Sequence, residues 1–271
     1  GVRIMGTASA SRLPDRLRRL LLLAGLGPTL GLAAGKSDTP ATTGDATAIT
    51  PTRLRFPRDH GSHPQSRIEW WYITGHTRVG DGDGARVFGF QLTFFRSRVD
   101  ATQQMVSRFA ARQLLFAHAA LTDVKGKHFW HDQRIARAGF DVASASESDA
   151  DLRLHDWSLQ RRDGQYRARI PANGFSLQLD FTPTQAVLLQ GDAGWSRKGP
   201  QSTQASHYYS HPQLAFDGFI GISGQRMPVS GTGARGVDSS RFTPVDGAAW
   251  LDHEWSDSLL GADAVGWDWI G

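Results

Sequence analysis

The chain has no cysteine among its 271 residues. Disulfides, thiolate zinc sites, iron–sulfur clusters and thiol nucleophiles are thereby excluded. The compartment stays open, because a cysteine-free chain survives in either redox environment. A G-x-S-x-G nucleophile elbow and an H-E-x-x-H helix are also missing, so two common hydrolase signatures have no foothold. The leucine-rich stretch Leu20–Ala34 is only 15 residues long with a Gly-Pro inside it, short of the roughly 20 that a spanning helix needs. What the chain does have is aromatic mass, with 9 Trp and 14 Phe against 21% charged residues. That is enough apolar material for a packed core.

The 30 basic residues exceed the 26 acidic ones, which invites a nucleic-acid reading. Position decides against it. Arg12, Arg16, Arg18 and Arg19 precede Leu20–Ala34, and Ala33-Ala34-Gly35 supply small residues at its end. This is the three-part pattern of a secretory signal peptide over residues 1–35, and Arg18-Arg19 leaves twin-arginine export open beside the general route. An exported, periplasmic or secreted location is expected. The leader holds five Arg and one Asp, and taking these away leaves 25 basic and 25 acidic residues. The basic residues that remain are scattered singly, without the stripe a phosphate backbone requires. No nucleic-acid partner is expected, while peripheral membrane contact and the oligomeric state stay open.

Residues 36–52 are rich in Ser, Thr, Asp, Ala and Gly, a disordered linker by composition. Beyond them, period-two alternation dominates. Phe88, Phe90, Leu92 and Phe94 share one face of Arg86–Phe95, and Phe175–Phe181 alternates in the same way. Further runs are Ile68–Thr77, Leu115–Thr122, Leu152–Leu159, Tyr166–Ile170, Ala186–Gln190 and Phe216–Ile222, divided by turn signals such as Asp163-Gly164 and Asn173-Gly174. Only the neighbourhood of Ser107–Leu115 has room for a short helix. The pattern predicts an all-β sandwich or barrel, of a kind able to hold a ligand.

Six segments carry a family resemblance: IEWWYITGH (68–76), FGFQLTFFR (88–96), LLFAHAALTD (114–123), LLQGDAGWSRKG (188–199), SHYYSHP (206–212) and WLDHEWSDSLL (250–260). In this order they resemble the AttH/CrtC family, lipocalin-like proteins that include carotenoid 1,2-hydratases and predicted secreted hydrolases. The match to the secreted AttH-type branch is the closer of the two. The resemblance implies two tandem lipocalin-like β-barrel domains with an apolar, isoprenoid or lipid-like ligand between or within them. On this reading residues 53–232 form the first domain and 233–248 an insertion or linker. Residues 249–271 then open a second, truncated domain.

The strand Trp250–Trp255 puts Trp250, Asp252 and Glu254 on one face and Leu251, His253 and Trp255 on the other. The pair His253/Trp255 resembles the His-x-Trp of the family hydratases. Hydrating an alkene takes an acid to protonate carbon and a base to receive a proton from water. An indole face would stabilise the cation between these steps. Asp252, Glu254 and Asp268 are the local acid candidates, with Asp268 matching a downstream family Asp, although Gly266 stands where a Tyr would be needed. The alternative for Asp252-His253-Glu254 is a polar network at a domain rim. Glu69, Trp70, Tyr72, His76, His118 and Tyr208 are the ligand-binding candidates, against the plainer reading of core and mouth packing.

Neither His207/His211 nor His128/His131 comes with a metal-site pattern. Gly80–Gly84 reads as a hairpin tip, and Gly231–Gly236 fits G-x-G-x-x-G without a following helix. No metal and no cofactor is called for. Whether the chain is an enzyme stays undecided between a hydro-lyase, a secreted hydrolase and a non-catalytic carrier of a lipophilic ligand.

Overall fold

The computed structural model describes residues 51–223 and 243–257. Across them, alternating side chains build thirteen strands. The first seven are β1 (Ile68–Val79), β2 (Arg86–Arg98), β3 (Gln113–Asp123), β4 (His128–Arg137), β5 (Ala143–Ala145), β6 (Asp151–Leu154) and β7 (Trp157–Arg162). The other six are β8 (Gln165–Pro171), β9 (Phe175–Thr182), β10 (Leu188–Leu189), β11 (Trp195–Arg197), β12 (Ala205–Ile222) and β13 (Thr243–Ser256). All pair antiparallel in one sheet, in the order β4-β3-β2-β1-β13-β12-β9-β8-β7-β6-β5, with β10 and β11 alongside β12. The sheet curls until it is nearly closed as a barrel, so the all-β, lipocalin-like expectation holds.

The buried positions follow the period of two. Phe175, Leu177, Leu179 and Phe181 of β9 are all buried while the residues between them keep some exposure. Trp71, Ile73, Phe88, Leu92, Phe94, Trp157, Tyr166 and Ile220 add to the same interior. Each such side chain contributes about 1.5–3 kcal/mol on burial.

Tight turns fix the register. Asp163 and Gly164, at φ 51° and 81°, form the two-residue turn that matches the twist of a hairpin. Leu152–Leu159, read from the sequence as one strand, is instead the β6–β7 hairpin, because His155 sits at φ 55° and reverses the chain. At Gly218 of β12 φ is 145°, and a Cβ there would strike the Gln178 carbonyl of β9. The Ser107–Leu115 neighbourhood is turn and extended chain running into β3, with no helix.

A second correction concerns the C-terminal motif. Its strand was expected to open another barrel near residue 249. Instead β13 lies in the middle of this sheet, paired with β1 through Ile68↔Ser256 to Thr77↔Gly247 and with β12 on its other side. Residues 243–248, expected as linker, belong to the same strand. The leader, most of the 36–52 linker, residues 233–242 and Asp268 lie outside the described residues.

Candidate active site: a buried carboxylate between two imidazoles

Cross-strand register assembles the site before any side chain is considered. Directly opposed residues share a face, and the pairs Glu69↔Arg96, Glu69↔Trp255 and His207↔Trp255 form one inward row across β2, β1, β13 and β12. The next inward row is Phe94, Trp71, His253 and Tyr209. The chain leading into β1, Pro51–Arg67, passes over these rows. Its residues Leu54, His60 and Ser62 are buried, and His63 keeps 13% side-chain exposure.

At the centre stands Glu69, fully buried. Its Oε1 accepts from His63 Nδ1 at 2.7 Å and His253 Nε2 at 2.9 Å. Its Oε2 accepts from Arg96 Nε at 2.8 Å, the His63 amide at 2.9 Å and Ser62 Oγ at 3.2 Å. Burial alone would raise this carboxyl, but the hydrogen bonds from His253 and His63 hold it well below the ordinary carboxylate range, and Arg96 supplies the balancing charge. Arg96 is itself satisfied by Gln113 Oε1 at 2.7 Å and the Ser66 carbonyl at 2.8 Å.

The two imidazoles differ. Burial pushes His253 down to about 4 despite Glu69, so it is neutral at pH 7. Donating Nε2–H to Glu69 leaves its Nδ1 to accept from Tyr209 Oη at 3.1 Å. Tyr209 Oη, its proton so used, accepts from His60 Nδ1 at 2.7 Å, and Tyr166 Oη lies 3.1 Å from the same nitrogen. His63 goes the other way. Burial lowers it, but Asp59 Oδ1 at 3.2 Å from Nε2 and Glu69 on Nδ1 outweigh that and raise it. Asp59 is pushed up by burial, yet the bonds from His63 and the Arg55 amide hold it low. An imidazole raised by two carboxylates thus sits beside a neutral, buried one, and such a separation of titration ranges is how acid and base roles are divided.

Trp255 lies against His63 with ring centroids 3.7 Å apart and planes at 7°, and against His207 at 5.3 Å and 17° on the other side. Trp71 stacks on His253 at 4.5 Å and gives its indole N–H to the His60 carbonyl. His63, Glu69 and His253 offer ligand atoms within 4.8 Å of one another. Two of these contacts are already hydrogen bonds to a single oxygen, and Arg96 brings a fixed positive charge to that carboxylate. The group is better satisfied as a proton-bearing cluster than as a metal cage.

The remaining predicted residues collect on the outer face of the same strands. One outer row runs Tyr208, Glu254, Trp70, Phe95, Phe116, Ile135 from β12 to β4, and the next runs Ser210, Asp252, Tyr72, Thr93, His118, Gln133. Asp252 Oδ1 accepts from Ser210 Oγ at 2.5 Å, Trp250 Nε1 at 2.8 Å and Tyr208 Oη at 2.9 Å. Glu254 meets Ser206 Oγ at 2.5 Å and Lys198 Nζ at 2.8 Å. Burial raises Glu254 above the ordinary carboxylate range in spite of Lys198. His118 packs beside Phe95 and Phe116, which stack on each other at 4.6 Å, and burial lowers it. His76 is exposed further along β1.

The structure therefore joins Glu69, His253 and Trp255 inside, and Trp70, Tyr72, His118, Tyr208, Asp252 and Glu254 outside. The acids flanking His253 in sequence do not share its face, so they cannot serve a substrate held against His253 and Trp255. Sequence reasoning missed Asp59, His60, His63, Arg96, Tyr166 and Tyr209. Two signals were available: Arg96 has the inward parity of Phe94, and His207, Tyr209 and His211 share parity on β12.

A sequence model of the family described as AttH-like matches residues 47–271. The crystal structure of a provisionally named AttH protein from Nitrosomonas europaea is similar at 40% identity and TM-score 0.65, covering 80% of this chain and 60% of that one. Kievitone hydratase from Nectria haematococca is similar at 10% identity and TM-score 0.51, covering 80% of this chain and 55% of that one, a likeness of fold. The chain thus spans 60% or less of either solved protein. Among curated proteins, none matches.

Proposed function

This chain belongs to the AttH-like family, and from that premise we propose that it acts, after export, on an apolar unsaturated ligand of isoprenoid or lipid-like character, adding water across a carbon–carbon double bond by acid–base chemistry centred on Glu69. The observation that carries the proposal is the buried Glu69 carboxylate shared by His63 and His253, with Trp255 stacked on one of them. Such a cluster stocks what hydration demands: an imidazole whose hold on a proton is strengthened by two carboxylates, carboxylates to receive one, and an indole face beside the place where positive charge develops. The hydrogen bonds of the histidines run to carboxylates, phenols and Thr52, an arrangement for moving protons rather than for activating a serine. Kinship of fold with a hydratase supports the same reaction class.

Incubation with acyclic carotenoids and unsaturated lipids in H₂¹⁸O tests it. One ¹⁸O in an alcohol product is the expected result, and its absence from every product sinks the hydratase reading. A second reading, a non-catalytic carrier, draws on the outer row from Trp70 through Phe95 and Phe116 to Ile135, an apolar strip that an extended ligand could lie along. Tight binding without turnover, abolished by substituting Trp70 and leaving His63 irrelevant, would favour it.

A further inference from the structure

His253 is fully buried and both of its ring nitrogens are engaged, one with Glu69 and one with Tyr209. It has no atom to offer a ligand. His63 is bonded at both nitrogens too, to Glu69 and Asp59, but it retains exposure, and its Nε2 edge is turned to Asp59 and Arg58. Those two residues, with Thr52, Arg53 and Arg55, line a pocket of about 450 Å³, within the range of small-molecule sites. Three arginines and one acid line it. Arg58 is drawn toward Asp59 and Glu147 at 3.9 Å each, whereas the side chains of Arg53 and Arg55 are exposed and form no ion pair among the described residues.

We propose that this pocket is the substrate mouth, that it takes an unsaturated chain ending in an anionic group, and that His63 is the catalytic acid that meets it, with His253 a positioning residue acting through Glu69. The inference rests on the hydratase reading and narrows its substrate to acidic lipids. Arg53 and Arg55 hold the anionic end as charge-assisted donors. His63 Nε2–H gives its proton to one alkene carbon, and the carbocation on the other forms beside Trp255. Water adds there through oxygen and its proton passes to Asp59. Asp59 returns that proton to His63 Nε2 across the 3.2 Å bond already in place, so the cycle closes without oxidant or cofactor. Throughout, Nδ1–H stays on Glu69, whose orientation His253 and Arg96 maintain.

The test uses the full chain with sodium oleate and oleyl alcohol, two probes with the same double bond and opposite end groups, followed by tryptophan fluorescence. Oleate is expected to bind at least about tenfold more tightly than the alcohol, as one or two charge-assisted hydrogen bonds would supply. R53A/R55A should remove that difference and leave the alcohol's affinity unchanged. With ¹⁵N-histidine labelling, oleate should shift the His63 ring signals and leave those of His253 in place. Oleate binding no tighter than the alcohol (no binding included), a preference that survives R53A/R55A, or a response at His253 without one at His63 overturns the proposal. Selective binding without ¹⁸O incorporation refutes the chemistry but not the mouth, so the two failures are told apart.

Discussion

Replacing Glu69 by Gln keeps the shape of the side chain and removes the charge on which five donors converge. The consequence can be worked from the geometry. Arg96, 2% exposed in its side chain and 2.8 Å from Glu69, becomes a buried cation without a counter-charge, a loss of about 3–5 kcal/mol. The new amide also points an N–H at a ring nitrogen that is itself a donor, so one imidazole must change tautomer or move. For a domain of this size each kcal/mol lowers Tm by about 2–4 °C, giving a fall on the order of 10 °C. Urea unfolding of wild type, E69Q, R96M and E69Q/R96M, followed by tryptophan fluorescence, isolates the pair. The double variant removes both charges together and should cost at least about 2 kcal/mol less than the sum of the singles. Additivity within about 0.5 kcal/mol, or an E69Q loss under about 1 kcal/mol, would refute the claim that this ion pair organises the site.

Three further outcomes follow from the same geometry. Stability should fall steeply between pH 6.5 and 4. Burial lowers both His253 and His211 to about 4, so their stabilising effect is complete above the unfolded value and lost as pH falls toward the folded one. At 1.36 kcal/mol per unit, acidification through that range removes up to about 3 kcal/mol for each. His63 changes little within this window, since its raised value makes its contribution complete below the unfolded value of 6.5 and lost only as pH rises above it. A urea midpoint unchanged between pH 7 and 4.5 would contradict the assignment. His211 is a separate case, because both of its ring nitrogens are buried without a hydrogen-bond partner. H211F should therefore be neutral or stabilising within about 1 kcal/mol, whereas H253F, which strips a bond from Glu69, should destabilise; equal losses in urea titrations would argue against the distinction. Gly218 cannot take a side chain at φ 145° against the Gln178 carbonyl. G218A should cost about 2–3 kcal/mol, and hydrogen exchange should show the loss along β9 and β12; wild-type protection in those strands would disprove the strain argument.

The interior polar residues escaped sequence reading for a definite reason. His60 and His63 belong to no periodic element, so no parity assigns them to a face; only the path of Pro51–Arg67 over the sheet brings them to Glu69. Tyr209 and His253 are separated by 44 residues, and nothing short of the β12–β13 register says that they touch. Asp252 and Glu254 illustrate the converse. Their position next to His253 suggested a shared site, yet the period of two that made β13 legible as a strand also sends them to the opposite face.

By itself the sequence determined the class and the layout: alternation gave strands, turn residues gave their ends, and the six motifs gave the family. It also determined which residues share a face within each strand, since that depends only on the pleat. Tertiary structure decided which strands are neighbours and in what register. With that came the partner of every buried charge: Arg96 for Glu69, Tyr209 for His253 and Asp59 for His63. It also decided that β13 completes this sheet rather than beginning another. Pairing across a sheet is a long-range choice, settled by the burial of whole faces at once, and no window of sequence contains it.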